Sequence, residues 1–310
     1  MTVDIVVLGS LNMDLLMRVP RAPLAGETLL GRSLQHLPGG KGGNQAVSCA
    51  RQGAHVTMIA RVGRDADGDA LCAALAADGI RLDAVQRDAT QATGVALVMV
   101  EDSAQNRIVV IPGANLAVSL DEAAFAAALQ GASCFVTQLE SPLPVVLRAI
   151  ALAHEAGCPV VLNPSPMQPL PDSVWPQVAT LVVNEVEAAE YTGLPVADAA
   201  GAVAAARALM QRGVGRVVVT LGAQGAVSVD ARSACLHPSM PVQAVDTTAA
   251  GDTFTGALAV ALAQGASLQQ AAARGVQAAA LCVTRAGAQP SIPRAAEVDA
   301  MPAPPVWTDL

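Results

Sequence analysis

Two hydrophobic rhythms alternate along the chain. Short β-branched runs, apolar at nearly every position, read as strands at Asp4–Leu8, His55–Ala60, Cys134–Gln138, Val160–Leu162, Thr180–Val183 and Arg216–Thr220. Ala-rich helical stretches follow them at Asn44–Gln52, Asp67–Asp78, Leu120–Leu129, Leu143–Ala156, Glu185–Thr192, Ala199–Arg212, Asp252–Ala263 and Leu268–Thr284. Many of these stop at a glycine (Gly53, Gly79, Gly157, Gly193, Gly213, Gly265), the residue that closes a helix most easily. Strand–helix alternation with unbroken apolar strands predicts an α/β fold, a mostly parallel sheet covered by helices on both faces.

Two stretches leave that rhythm. Leu15–Pro38 and Thr93–Ile111 carry strand patterns with no helix nearby, and Val95–Val100 and Asn106–Ile111 flank the polar Glu101–Gln105 as a hairpin would. They predict a small β element inserted into the α/β body, of the kind that serves as a lid or a subunit contact. The tail from Met301 to Leu310 carries Pro302, Pro304 and Pro305 and reads as an irregular end.

Composition narrows the function classes. Of 310 residues 53% are apolar, 14% charged and only 2% aromatic, with a net charge of −8. Disorder is excluded by the apolar content. Nucleic acid is an unsuitable partner, because there is no basic surplus and almost no aromatic platform for bases. The mean hydropathy of +0.44 is inflated by alanine. No segment offers the roughly 20 clean apolar residues that span a bilayer, so no membrane partner is expected. The first residues, Met1 to Asp4, carry no positive charge and lead straight into a strand, unlike a secretory signal. Six scattered cysteines without a C-x-x-C pair read as reduced thiols, and the expected location is the cytoplasm.

Five segments carry candidate chemistry. Gly9-Ser10-Leu11-Asn12-Met13-Asp14 follows the first strand, at the carboxyl end where open α/β sheets bind ligands. Asn12 and Asp14 alternate onto one side of an extended segment, an amide and a carboxylate suited to sugar hydroxyls, although both residues also favour plain turns. Gly39-Gly40-Lys41-Gly42-Gly43-Asn44 leads into a helix. Its glycines allow close backbone approach to a ligand, Lys41 adds a charge, and Asn44 would cap or begin the helix. It is not a phosphate-binding P-loop, since Gly42 follows the lysine.

Asp246-Thr247-Thr248-Ala249-Ala250-Gly251-Asp252-Thr253 places small residues before a helix, an anion-receptive arrangement. A carboxylate at Asp252 is out of place in a pure phosphate site and makes sense as a general base, or as an ordinary acid of a first helical turn. Asn184 and Glu187 share a helix face. They suit either a capping box or a water-held magnesium ion, and both readings can hold together. Thr220-Leu221-Gly222-Ala223-Gln224-Gly225 is a glycine turn at a strand end that can lie over a nucleotide or simply close a hairpin. Glu140 is a further acid just past a strand.

The order of these segments is more telling than any one of them. With Gln138-Leu139-Glu140-Ser141-Pro142 and Val283-Thr284-Arg285 through Gln289-Pro290-Ser291, the series resembles the ribokinase-like carbohydrate kinase family from about Asp4 to Pro293. The last two pieces resemble its ribose-phosphorylating members. That resemblance implies one domain over 1–310, a Rossmann-type three-layer body with a small β lid from about 11–40 and 93–112. It implies a sugar site from Asn12, Asp14, Gly40, Lys41, Gly42, Gly43, Asn44 and Glu140, and Asp252 as general base on the 5-hydroxyl of D-ribose. Ala249, Ala250 and Gly251 would donate N–H groups to the γ-phosphate of ATP.

Asn184 and the turn Thr220, Leu221, Gly222, Ala223, Gln224 and Gly225 would line the ATP site, and Glu187 would hold Mg²⁺ through water. Asp246, Thr248, Cys282, Arg285, Gly287 and Ser291 would surround K⁺, mostly with backbone carbonyls. Family members often place Asn or His near the adenine on the last helix, where this chain has Val276 or Gln277. The lid implies a homodimer. Other acceptors on the same fold are deoxyribose, a nucleoside or a ketose phosphate, and a non-catalytic sugar sensor is the alternative of another class. With only Arg18, Arg21 and Arg32 in Leu15–Pro38, and no aromatic in the lid segments, a small neutral sugar is favoured.

Overall fold

The computed structural model describes residues 2–103 and 105–310. Met1 and Ala104, the latter inside the expected hairpin turn, lie outside the described residues. Strands and helices are numbered in chain order. The first segment runs β1 (Asp4–Leu8), β2 (Asn12–Val19), β3 (Ser33–Gly39), α1 (Lys41–Arg51), β4 (His55–Gly63), α2 (Ala66–Ala77), β5 (Val85–Asp88), β6 (Gly94–Glu101) and β7 (Asn106–Ile111). Then come α3 (Glu122–Leu129), β8 (Cys134–Thr137), α4 (Leu143–Glu155), β9 (Val160–Leu162), β10 (Thr180–Asn184), α5 (Glu185–Thr192), α6 (Ala199–Gln211), β11 (Val217–Thr220), β12 (Ala226–Val229) and β13 (Ala234–His237). The chain closes with α7 (Ala250–Ala263), α8 (Leu268–Cys282), α9 (Ala295–Asp299) and β14 (Thr308–Asp309).

A ten-stranded sheet has the order β14-β13-β12-β11-β10-β9-β8-β1-β4-β5. From β11 to β5 neighbouring strands are parallel, and β12, β13 and β14 extend it antiparallel at one end. Alternate residues of β1 show why its run is apolar throughout. Ile5 and Val7 enter a core with α1, α2, α7 and α8, while Val6 and Leu8 enter a second core with α3, α4, α5 and α6. The expected double-sided cover is therefore present. All six expected helix-ending glycines have positive φ, between 70° and 110°.

The segments expected to form the lid make a separate four-stranded sheet, β3-β2-β6-β7, in which β2 pairs parallel to β6 and antiparallel to β3. Its strands β3 and β2 place Asp14 opposite Leu37 and Asn12 opposite Gly39, so the lid ends where α1 begins. Three strands beyond the expected ones complete the antiparallel end. β12 and β13 form a hairpin buried on both faces, which hides the two-residue alternation that marks a half-exposed strand. The tail, expected to be irregular, ends in β14 against β13 because the open edge of β13 still has backbone groups to pair.

Candidate active site

The site forms where β1, the start of α1 and the start of α7 meet. α1 begins at Lys41, three residues before the expected start, with Gly40 as an N-cap that offers no side-chain bond. Asn44 therefore sits inside the first turn rather than capping it. Packing alone requires glycine at two of these positions. Gly40 has φ 84°, and a Cβ there would lie 2.7 Å from the Asn12 nitrogen; at Gly42 it would lie 2.5 Å from the Gly9 carbonyl carbon. The loop is thus pressed onto the end of β1. Glu140 anchors it: its carboxylate accepts from the Ser10 hydroxyl and from the Lys41 N–H (3.1 Å). That makes Glu140 a partner of the α1 N-terminus, a favourable place for an acid.

Asn12 is buried, and its Oδ1 accepts from Asn115 Nδ2 at 2.7 Å. Asp14 lies against Gly39, where a Cβ would overlap its carboxylate. Burial first, then the Glu140 and Asp252 carboxylates, push the Asp14 carboxyl up to about 7. Burial alone would lower the Lys41 ammonium, but Asp252, Glu140 and Glu187 outweigh it and hold it above its ordinary value. Asp14, Lys41, Glu140 and Asp252 thus share one electrostatic neighbourhood.

Asp252 lies in the first turn of α7 and is buried, 7% exposed. Asn44 Nδ2 donates to its Oδ2 at 2.9 Å and Gln45 Nε2 to its Oδ1 at 2.9 Å. Ala249, the N-cap, has φ 61°, the one positive φ outside glycine among the described residues. Such a conformation costs a residue with a side chain on the order of 1–2 kcal/mol, and it turns the chain abruptly into the helix. The Ala250 N–H donates to the Thr247 carbonyl (3.2 Å) and so is engaged by the turn. The Thr253 N–H donates to the Ala249 carbonyl (2.8 Å), which leaves the Gly251 and Asp252 N–H groups without an intrahelical acceptor and open to an anion.

Two adjoining cavities share Thr220, Thr247, Ala250 and Gly251. One, of about 210 Å³, is polar and lined by Lys41, Asn163, Asn184, Glu187 and Asp252 among others. The other, about 480 Å³, is mostly apolar, with Met240, Val242, Phe254, Val276, Ala280 and Val283 in its wall. Val276 faces this cavity. Gln277 does not: one step along the helix turns it about 100° away, and its Nε2 donates to the Pro302 carbonyl. Thr220, Gly222, Ala223 and Gly225 line the cavity as expected. Leu221 instead packs in the second core, and Gln224 is exposed and outside the wall. The turn faces the cleft with backbone and small groups because its one large apolar side chain has a core to fill.

Asn184 and Glu187 form a complete capping box, at 2.8 and 3.0 Å, and both also line the polar cavity. Near the start of α7, the Asp246 carboxylate accepts from the N–H and hydroxyl of Thr248 and from the Gly287 N–H. Burial opposes its ionisation, but these bonds hold it below the usual carboxylate range. Cys282 Sγ lies 3.0 Å from Ser291 Oγ and 3.7 Å from the Thr248 carbonyl. The Cys282 carbonyl, expected to face a cation, accepts the Arg285 N–H (3.1 Å), and the Arg285 side chain pairs with Glu297.

Gln45, Asn115, Gln138 and Asn163 were not singled out as site residues by the sequence. Gln45 directly follows Asn44, and Gln138 and Asn163 follow strands, but a lone amide carries no distinguishing pattern.

The fold and site together with the relatives that follow define the class, an α/β phosphotransferase with an alcohol group as acceptor. The sequence profile of the pfkB family carbohydrate kinases matches residues 3–295. A ribokinase from Haemophilus influenzae is 40% identical over 292 residues, covering 93% of this chain and 94% of that protein. A deoxyribokinase from Salmonella typhi is 35% identical, covering 94% and 95%. A bifunctional ribokinase/ribose-5-phosphate isomerase A from Fructilactobacillus sanfranciscensis is 39% identical, and this chain spans 54% of its length. Among solved structures, Arabidopsis thaliana ribokinase complexed with ribose and ATP superposes with a TM-score of 0.90 at 33% identity, covering 96% of this chain and 98% of that one. The chain belongs to the pfkB family of carbohydrate kinases.

Proposed function

We propose that the protein transfers the γ-phosphoryl group of ATP to the 5-hydroxyl of D-ribose, giving ribose 5-phosphate and ADP. The observation that carries this reading is Asp252: a shielded carboxylate with both oxygens held by amide donors, in the first turn of a helix. Phosphoryl transfer needs an in-line hydroxyl, charge neutralisation and exclusion of water. Asp252 takes the hydroxyl proton. The open N–H groups of α7 and the Lys41 ammonium offset charge on the transferring oxygens. Asn12, Asp14 and the loop from Gly40 through Asn44 face the sugar, and the lid closes over it. The apolar cavity with Val276 in its wall accepts the adenine.

Among the described residues no cluster of three or more His, Cys, Asp or Glu could hold a metal ion. Magnesium fits a site shared with phosphate oxygens and water, which is its usual habit. Glu187, on the cavity wall, would hold it through water, and the ion supplies charge neutralisation when bound. The ionised Asp246 with Thr248, Gly287 and Ser291 fits a monovalent cation, K⁺, with Arg285 and Cys282 at its edge. A small neutral sugar suits the lid, because Arg21 pairs with Glu27 and Arg32 with Asp102, so that of the three arginines in Leu15–Pro38 only Arg18 is left for a sugar phosphate among the described residues. Deoxyribose is the second acceptor to test, given the deoxyribokinase relative. We place the enzyme in the cytoplasm: its six cysteines are free thiols, and no helix of the described residues is long and apolar enough to cross a membrane.

ADP release measured with ribose, deoxyribose, nucleosides and ketose phosphates, with and without K⁺, tests the reading. Ribose is expected to be preferred and K⁺ to stimulate. Asp252→Asn is expected to lower kcat by about 10²–10⁴-fold while ribose and ATP still bind in calorimetry. A variant with near wild-type turnover removes Asp252 from the role of base.

A further inference from the structure

Behind Asp252 lie two buried amides, Gln45 and Gln138, beside Asn163 on the wall of the polar cavity. Gln45 is fully buried and does not line either cavity. Its Nε2 donates to Asp252 Oδ1 (2.9 Å) and to Asn163 Oδ1 (3.2 Å). Its Oε1 accepts from Gln138 Nε2 at 2.6 Å, and Gln138 is fully buried as well. Asn163 is fixed in turn, its Nδ2 donating to the Val182 carbonyl at 3.0 Å.

An amide has two ends of opposite character, so which end meets Asp252 matters. With the NH₂ of Gln45 towards Asp252, the carboxylate is gripped. With the amide reversed, an oxygen would face an oxygen. Gln138 favours the gripping orientation by offering its own NH₂ to the Gln45 oxygen, and Asn163 Oδ1 favours it by accepting from the Gln45 NH₂. Room for this is made at Gly9, where a Cβ would overlap Gln138 Oε1. Gln138 Oε1 itself accepts no hydrogen bond from the protein among the described residues. A buried polar atom left unsatisfied is costly, which fits a side chain held for what its other end does.

We propose that Gln138 and Gln45 form a relay of positioning residues that sets the direction of the Asp252 carboxylate, with Gln138 acting only through Gln45. The inference rests on the assignment of Asp252 as base. It adds that alignment of this base is imposed from a strand end 93 residues away from Gln45, not by the sugar site alone. A misplaced catalytic group of about 1 Å can cost on the order of 10²-fold in rate.

The test is a double-variant cycle on the full-length enzyme. Gln45→Met keeps the length of the side chain and removes both amide ends; Gln138→Met does the same one step back. Gln45→Met is expected to lower kcat by about 10–100-fold and Gln138→Met by a smaller factor. KM for sugar and ATP should stay within about twofold of wild type in both. The double variant should be no slower than Gln45→Met, because an orienter is redundant once the group it orients is gone. Losses that multiply in the double variant, an effect confined to KM, or a wild-type kcat in Gln45→Met would each overturn the relay.

If a Met variant is insoluble, Gln45→Asn and Gln138→Asn run the same cycle, keeping the amide and shortening its reach by one methylene. Asp252→Asn is measured alongside. An active Asp252→Asn enzyme removes the base assignment, whereas an inactive one beside a wild-type-like Gln45→Met removes the relay alone.

Discussion

The Asp14 carboxyl is partly buried beside two other acids, and its proton affinity follows from that company. Pushed up to about 7 from an ordinary 3.8, it keeps its proton in the folded protein over a range where the unfolded chain has lost it. Between about pH 4 and pH 7 the folded state then binds more protons, so rising pH erodes stability, and the erosion stops above the folded value. Asp14→Asn removes this contribution. The melting temperature of the variant minus that of wild type should grow from pH 4 to pH 7 and level off above. A difference constant across this range would show that Asp14 titrates normally. Gly42 is limited by space instead. Gly42→Ala would set a methyl 2.5 Å from backbone of Gly9, and overpacking of this kind costs about 1–3 kcal/mol. Denaturant unfolding should show that loss, together with impaired turnover, since Lys41 and Asn44 sit on the same turn.

At the scale of elements, α1 and α7 decide whether Asn44 and Gln45 reach Asp252. The two helices touch through small groups. Ser48 Oγ donates to the Thr253 carbonyl at 2.9 Å, and a Cβ on Gly256 would overlap the Ser48 side chain and come within 3.0 Å of the Cys49 nitrogen. Gly256→Ala should therefore push the helices apart. We expect a loss of about 1–3 kcal/mol in denaturant unfolding and a fall in kcat, because the donors to Asp252 on α1 move with that helix. An unchanged kcat in a destabilised variant would mean that helix spacing does not govern the base. The capping box of α5 and the helix-ending glycines were legible beforehand, because each is an interaction within a few residues. The hairpin of β12 and β13 was not, because burial on both faces erases the alternation that sequence reading relies on.

Among the described residues, the two opposite edge strands of the small sheet carry exposed apolar side chains. Leu34 on β3 and Ile108, Val109 and Ile111 on β7 are each more than half exposed, on the lid's two edge strands. Exposed edges with apolar side chains are a template for association. A second copy of the chain bringing its own lid would cover them in a closed pair. Val109→Glu should convert a dimer into a monomer by light scattering. A wild-type monomer, or a variant that stays dimeric, rejects the lid as the contact.

The sequence by itself determined what depends on neighbours along the chain. β1, β9 and α5 begin and end where the hydrophobic pattern places them, and the order of motifs identifies the family. Net charge told little about an anionic ligand, since in the proposed reading local N–H groups and Lys41 would hold it. Only the tertiary structure decided which amides meet Asp252, for Gln45 is 207 residues from it and 118 from Asn163. It alone turned Val276 to the cavity and Gln277 to the tail, and gave Leu221 to the core. The physical reason is the same in each case. Caps, turns and periodicity are local energies written in short stretches, whereas the direction of a side chain in a buried site is set by elements that sheet order brings together from distant parts of the chain.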